Sequence, residues 1–176
     1  MGWFSKKSDI PNGEQYVKLH NEGIAAFHAG NLQQAIDLLY QAFNAIDCTP
    51  TNKSAEGWLF IGLAEMQLHD RDQNPQRLNS AEGALLGARA LDHNNLFIIY
   101  NLGTCYNKQK RLNEAEQCFL EHIRLQPSAN ALIELGIICH KTSRKQEAVS
   151  YWEQALKLDP GCVAAKQNLE NARKFY

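Results

Sequence analysis

Tyr100-Asn101-Leu102-Gly103-Thr104-Cys105-Tyr106, continued by Asn113-Glu114-Ala115, Phe119 and Pro127, is the stretch on which the reading of this chain turns. Gly103 lies inside an apolar segment, and an alanine, Ala115, follows 12 residues later. Seven residues beyond it stands His122, and five beyond that Pro127. Three other glycines open the same series. Gly23 leads to Ala35, Ala42 and Asp47, and Gly136 to Ala148, Ala155 and Pro160, at identical spacings. Gly62 leads to Ala81, Ala88 and His93, with seven extra residues in its first step. The four glycines are separated by 39, 41 and 33 residues. A base period of about 34 accounts for all three, and a period of that size is the mark of a repeat architecture. The longer first separation places five extra residues around Cys48-Thr49-Pro50-Thr51-Asn52. The second places seven in Leu68-His69-Asp70-Arg71-Asp72-Gln73-Asn74-Pro75-Gln76, which we expect to form the most mobile loop.

Each unit reads as two helices. Leu32, Ala35, Ile36, Leu39, Ala42 and Phe43 keep the i, i+3, i+4, i+7 spacing of one apolar helical face, as do Leu112, Ala115, Phe119 and Ile123. Gly30-Asn31 reads as a helix stop followed by a cap residue. No unit can bury its apolar face alone, so the core comes from stacking neighbours.

On these residues the chain resembles the tetratricopeptide repeat (TPR) proteins. Unit two adds Trp58 and Ile61-Gly62, and unit four adds Leu132, Leu135-Gly136, Trp152 and Ala155. The resemblance implies an all-α fold, a right-handed superhelical solenoid of antiparallel helix pairs. We divide it into a flexible tail (1–13) and a TPR domain (14–176), with units at about 16–49, 55–95, 96–128 and 129–162 and a capping helix at 163–176. In that helix Val163, Lys166, Leu169 and Ala172 keep the apolar spacing. Small residues at the glycine and alanine slots let paired helices approach, and Tyr106, Phe119 and Trp152 fill the space between pairs. Glu22, Glu65 and His122 depart from the pattern, and Gly83 and Gly87 weaken the second helix of unit two.

Composition agrees and excludes other classes. The chain has 176 residues, 18 Lys+Arg against 19 Asp+Glu, and a net charge of -1, which is not the basic balance of a nucleic-acid binder. No apolar run approaches the ~18 residues of a membrane span. The first ten residues lack the apolar core of a secretory signal, so a cytoplasmic location is expected. Five widely spaced cysteines suit reduced thiols rather than a disulfide framework or zinc site. Phosphate-loop, nucleophile-elbow and His-Glu-x-x-His motifs are absent, so we expect no enzyme activity, no metal and no cofactor.

The resemblance implies that function lies in a concave groove lined by the first helix of each pair. The slots facing it are His20, Ile24 and Phe27 in unit one, and Leu59, Leu63 and Met66 in unit two. Unit three supplies Tyr100, Thr104 and Asn107, with Asn101 nearby, and unit four Ile133, Ile137 and His140. The TPR mode that grips acidic chaperone tails needs Lys and Asn in the first helix and Lys and Arg in the third unit. Here those places hold His20, Ile24, Phe97 and Asn101, so that mode is excluded. The expected partner is a protein or peptide with apolar anchors, and the expected role that of an adaptor or scaffold. Two alternatives stand beside it: a dedicated chaperone for an apolar segment, like those of type III secretion, or a regulatory subunit of an enzyme complex. Arrays of this kind also self-associate. Trp3 and Phe4, in the tail, are candidates to lie against the groove.

Overall fold

The computed structural model describes residues 12–45 and 52–175. Nine helices follow one another in this part of the chain, with no strand among the described residues. They are α1 (Asn12–His28), α2 (Leu32–Asn44), α3 (Asn52–Asp72), α4 (Pro75–Leu91), α5 (Leu96–Lys108), α6 (Leu112–Leu125), α7 (Ala129–Lys141), α8 (Lys145–Leu158) and α9 (Val163–Phe175). α1 and α2, α3 and α4, α5 and α6, and α7 and α8 pair most extensively, and each pair stacks on the next. α1 also touches α3, and α3 touches α5, so odd-numbered helices adjoin one another along one side. The tail containing Trp3 and Phe4, and most of the first insertion, lie outside the described residues.

The repeat glycines explain the tight pairing. A Cβ on Gly23 would stand 2.8 Å from Leu39 Cγ, and one on Gly62 2.7 Å from Leu85 Cγ. Gly103 faces Phe119 at 3.0 Å and Cys118 at 3.1 Å, and Gly136 faces the Trp152 ring more closely than any of these. Each glycine thus receives the large side chain of its own partner helix. Phe119 and Trp152 therefore pack within their pairs, on the glycine, and not only between pairs as the spacing suggested. The alanines Ala35, Ala81, Ala115 and Ala148 are fully buried.

The helix turns repeat as well. Gly30, at φ +78°, ends α1 with Gly30 N–H donating to Phe27 O and Asn31 N–H donating to Ala26 O. These two bonds define a Schellman ending. Lys110 (φ 63°) and Ser143 (φ 65°) make the same pair of bonds without glycine's freedom. Asn31 starts α2 but makes no side-chain capping bond, contrary to the cap expected there: its ψ of 64° is not the extended backbone from which Asn74, Asn95 and Ser128 cap their helices.

The seven-residue insertion is helical, not a loop. α3 has 21 residues and α4 has 17, against 13 and 14 in α5 and α6, and only Gln73 and Asn74 separate them. Pro75 occupies the first turn of α4, where its missing N–H costs nothing. Asn74 Oδ1 accepts from Gln76 N–H at 3.0 Å. Arg77 ties the tip together, donating to Asp72 at 2.7 Å and to Glu65 at 3.0 Å. That pairing accounts for Glu65 in a slot that other units keep apolar. Glu22, the other acidic departure, is exposed and 4.0 Å from Lys18.

A second ladder joins units. Arg111, just before α6, reaches back to Glu82 on α4 at 2.7 Å. Arg144, at the same slot before α8, holds Glu116 on α6 through two parallel bonds of 2.8 and 2.7 Å. Two-pronged guanidinium–carboxylate pairs fix geometry as well as charge. Arg77 holds the equivalent slot in unit two, but the place of Glu82 and Glu116 is taken in unit one by Ile36, which explains why Arg77 pairs within its own unit.

α9 lies on the last pair through Ala165, Leu169 and Ala172. Val163, expected on that face, is 73% exposed, because the face begins two residues later at Ala165.

Gly83 offers a direct stability test. A Cβ there meets nothing within 4 Å, so alanine gains helix propensity of up to ~1 kcal/mol without a clash. Gly83→Ala raises the melting temperature by about 2–4 °C, measured by circular dichroism. An unchanged or lower value would show that α4 does not propagate as a regular helix here.

Candidate functional site

The odd-numbered helices carry the slots read as groove-lining, and burial divides them into two groups. His20, Met66 and Ile133 are 3, 5 and 7% exposed and belong to the core. Their slots face the neighbouring pair as closely as the groove, so they pack instead of presenting a surface. Ile24, Phe27, Leu59, Leu63, Tyr100 and Ile137 are half-buried: one side of each joins a core cluster and the other is open. Phe27 meets Phe60 edge-on at 5.0 Å and His28 at 5.6 Å. His140 is exposed, its ring 6.2 Å from that of Trp152.

The polar slots are engaged locally. Asn101 Nδ2 donates to Phe97 O at 2.7 Å, and Thr104 Oγ1 donates to Tyr100 O at 3.1 Å. Asn107 Nδ2 donates to Glu134 Oε2 at 3.2 Å, and Lys141 Nζ donates to Asn107 Oδ1 at 2.9 Å. Burial pushes the Glu134 carboxyl above its ordinary range, while Lys141 and Asn107 pull it back. Tyr100 is raised by its own burial and then by Glu134. Glu134 and Lys141 were not among the expected site residues, although Glu134 holds the slot before Gly136 that Asn101 holds before Gly103.

Two cavities open along these helices. One, of about 580 Å³, lies between the start of α5, the end of α6 and the start of α7. Its apolar wall is Leu96, Phe97, Tyr100 and Pro127. Its polar wall is Asn101, His122, Gln126, Ser128 and Asn130. Phe97 is 74% exposed beside it. His122 is 8% exposed, and its Nδ1 has no hydrogen-bond partner among the described residues. Burial holds its pKa below the ordinary histidine value, against an opposing pull from the backbone of Gln126 and of His122 itself. Its ring meets Tyr100 edge-on at 5.8 Å. The sequence signal for His122 was its place in a slot where Ala42, Ala88 and Ala155 stand in the other units. The second cavity, about 470 Å³, lies between α7, α8 and α9 and includes Ile137, His140, Lys141 and Asn168.

The cysteines among the described residues are packing residues. Cys105, Cys118 and Cys139 are buried free thiols and Cys162 is a half-buried one. Burial pushes Cys105 up to about 12 and Cys118 to about 11, which leaves both as unreactive thiols at neutral pH. Among the described residues no three His, Cys, Asp or Glu side chains gather to hold a metal ion, and no helix is long and apolar enough to cross a membrane.

Residues 95–160 match the tetratricopeptide repeat family. Similar solved structures include MamA, at TM-score 0.78 and 21% identity over 92% of this chain and 82% of that one. They also include YrrB, described as a TPR protein with an unusual peptide-binding site, at TM-score 0.74 and 17% identity over 86% and 73%. The fold is therefore a TPR-type all-α solenoid, a right-handed superhelix of antiparallel helix pairs, in which nine described helices make four repeats and a capping helix. Among curated proteins, the petunia "Probable UDP-N-acetylglucosamine--peptide N-acetylglucosaminyltransferase SPINDLY" is 28% identical over 170 residues. A Schizosaccharomyces pombe DnaJ homolog subfamily C member 7 homolog is 28% identical over 78 residues. The matches cover 96% and 44% of this chain, but only 17% and 16% of those proteins' lengths.

Proposed function

We propose that this chain is a non-catalytic protein–protein interaction module that holds a peptide or protein segment in its concave groove, in an adaptor or scaffold role. The observation that carries this reading is the strip of half-buried side chains on α1, α3, α5 and α7, ending beside Phe97 and the 580 Å³ cavity. Such a strip offers an incoming chain apolar anchor points with polar groups between them. Each anchor buried is worth about 1.5–3 kcal/mol, and a few of them offset the cost of association. The TPR fold supports the same reading, and the peptide-binding site in the description of YrrB is consistent with it. The free thiols suit a reducing, cytoplasmic setting.

The test is capture of a partner by the full chain, with identification by mass spectrometry, followed by binding measurements on Leu63→Glu and Ile137→Glu. Both positions are half-buried and open on one side. We expect each substitution to weaken the captured partner more than tenfold while helicity is retained. If binding survives both, the partner uses another face and the groove reading fails.

A further inference from the structure

We propose that Glu134, on the groove side of α7, receives the guanidinium of an arginine carried by a bound peptide. This assignment rests on the groove reading and names the chemistry of one anchor in its polar half.

Five glutamates on the described helices are half-buried: Glu65, Glu82, Glu116, Glu121 and Glu134. Four of them are met by an arginine of the chain itself. Arg77 stands 3.0 Å from Glu65, Arg111 2.7 Å from Glu82, Arg144 2.7 Å from Glu116 and Arg89 2.6 Å from Glu121. Glu134 is the fifth, and among the described residues no cation forms an ion pair with it. Asn107 Nδ2 donates to its Oε2 at 3.2 Å. Its Oε1 accepts no hydrogen bond among the described residues and stays open to solvent. Lys141 acts on this carboxyl but is turned aside, its Nζ donating to Asn107 Oδ1 at 2.9 Å. Lys108, one residue beyond Asn107, is committed to Asp70. A carboxylate drawn half out of water without a paired cation is costly to keep charged. A cation arriving on Oε1 supplies what the other four glutamates already have.

The chain also shows which cation completes such a place. Arg111 pairs with Glu82 and lies over the Tyr106 ring, its guanidinium carbon 4.4 Å from the centroid. Glu82 acts on Tyr106 as Glu134 acts on Tyr100: burial raises each phenol first, and the carboxylate charge raises it further. The pair Glu134 and Tyr100 thus repeats Glu82 and Tyr106 without the arginine. A guanidinium is planar, so one face can lie on the half-buried Tyr100 ring while an N–H donates to Oε1. An ammonium is more strongly hydrated and has no flat face, so lysine loses more on entering a half-buried place.

The experiment uses the full chain and four acetylated, amidated heptapeptides of glycine and serine. Each has a leucine at both ends, as apolar anchors, and arginine, lysine, citrulline or glutamate at the centre. Citrulline keeps the planar shape of arginine and removes its charge. Binding is followed by NMR through the Asn107 side-chain amide and the Thr104 methyl group. We expect the arginine peptide to bind about fivefold tighter than the citrulline peptide, with lysine between them and glutamate weakest. Glu134→Gln, which keeps an acceptor for Asn107, should bring arginine and citrulline to equal affinity. Lys141→Met, which removes a repelling charge, should strengthen the arginine peptide. Arginine and citrulline binding alike to the unsubstituted chain overturns the assignment, as does lysine binding as tightly as arginine. A preference for arginine that survives Glu134→Gln overturns it too, and a preference for glutamate gives the site to Lys141 instead. If all four peptides bind alike and all weaken with Leu63→Glu, the groove reading stands and the arginine seat alone falls. If none binds, both fall together.

Discussion

Gly136→Ala lowers the melting temperature of the array by about 5–10 °C, read by calorimetry or circular dichroism. The added Cβ would lie 2.6 Å from Trp152 Cδ1 and 2.7 Å from Cε2, and closer still to the indole nitrogen. A flexible neighbour could yield. Trp152 cannot, because it is a rigid ring, 3% exposed, packed with Cys139, Ala148, Leu169 and Ala172. Its Nε1–H also donates to Ile133 O at 3.4 Å, a bond that any retreat of the ring would stretch or break. Overpacking of this kind costs about 1–3 kcal/mol or more, and the lost hydrogen bond about 1 more. The better helix propensity of alanine returns at most ~1 kcal/mol. Each kcal/mol of net loss moves the transition of a chain this size by about 2–4 °C. Gly23→Ala and Gly62→Ala should do less, since the added Cβ first meets Leu39 Cγ at 2.8 Å and Leu85 Cγ at 2.7 Å, farther than the indole nitrogen stands from a Cβ on Gly136. A Gly136→Ala protein that melts with the unsubstituted one would show that α7 and α8 are not held as closely as described.

The contrast between Gly136 and Gly83 shows what the sequence conveys. Gly136 recurs at the repeat spacing and meets a partner helix, whereas Gly83 lies off that spacing and meets nothing. Spacing alone separated the two, and it also located the helix pairs and α9. It could not say whether the insertion around Asp70–Gln76 loops out or extends the helices. Charged and amide residues suit either outcome, and the choice is made by Arg77 reaching both Glu65 and Asp72 across the tip. Nor could it rank the groove slots. His20 and Ile133 share a slot with the half-buried Leu59 and Tyr100, and Met66 shares one with the half-buried Phe27; they differ only in how closely the next pair covers them. His122 was legible as an exception, but the cavity beside it is walled in part by Pro127, Ser128 and Asn130, between α6 and α7, which no spacing records.

Removing residues 163–176 should lower the melting temperature by at least about 5 °C and cause association that gel filtration detects. α9 covers the outer side of the last pair with Ala165, Leu169 and Ala172, all buried. Leu132, Ile133 and Ala155 lie under one end of it, and Cys139, Ala148 and Trp152 under the other. In a stacked array each unit is stabilised only by its neighbours, so this face has no other cover within the described residues. Burial of Leu169 alone is worth about 1.5–3 kcal/mol, and the apolar surface it leaves on α7 and α8 adds to that. Exposed together, those side chains form a contiguous apolar patch, the kind that drives association. Leu169→Asp tests the same contact without shortening the chain: a carboxylate placed against Trp152 and Ala148 has no partner there and should reproduce most of the loss. If both variants remain monodisperse and melt unchanged, α9 does not cover the last pair, and the array is closed by the outer faces of α7 and α8 themselves.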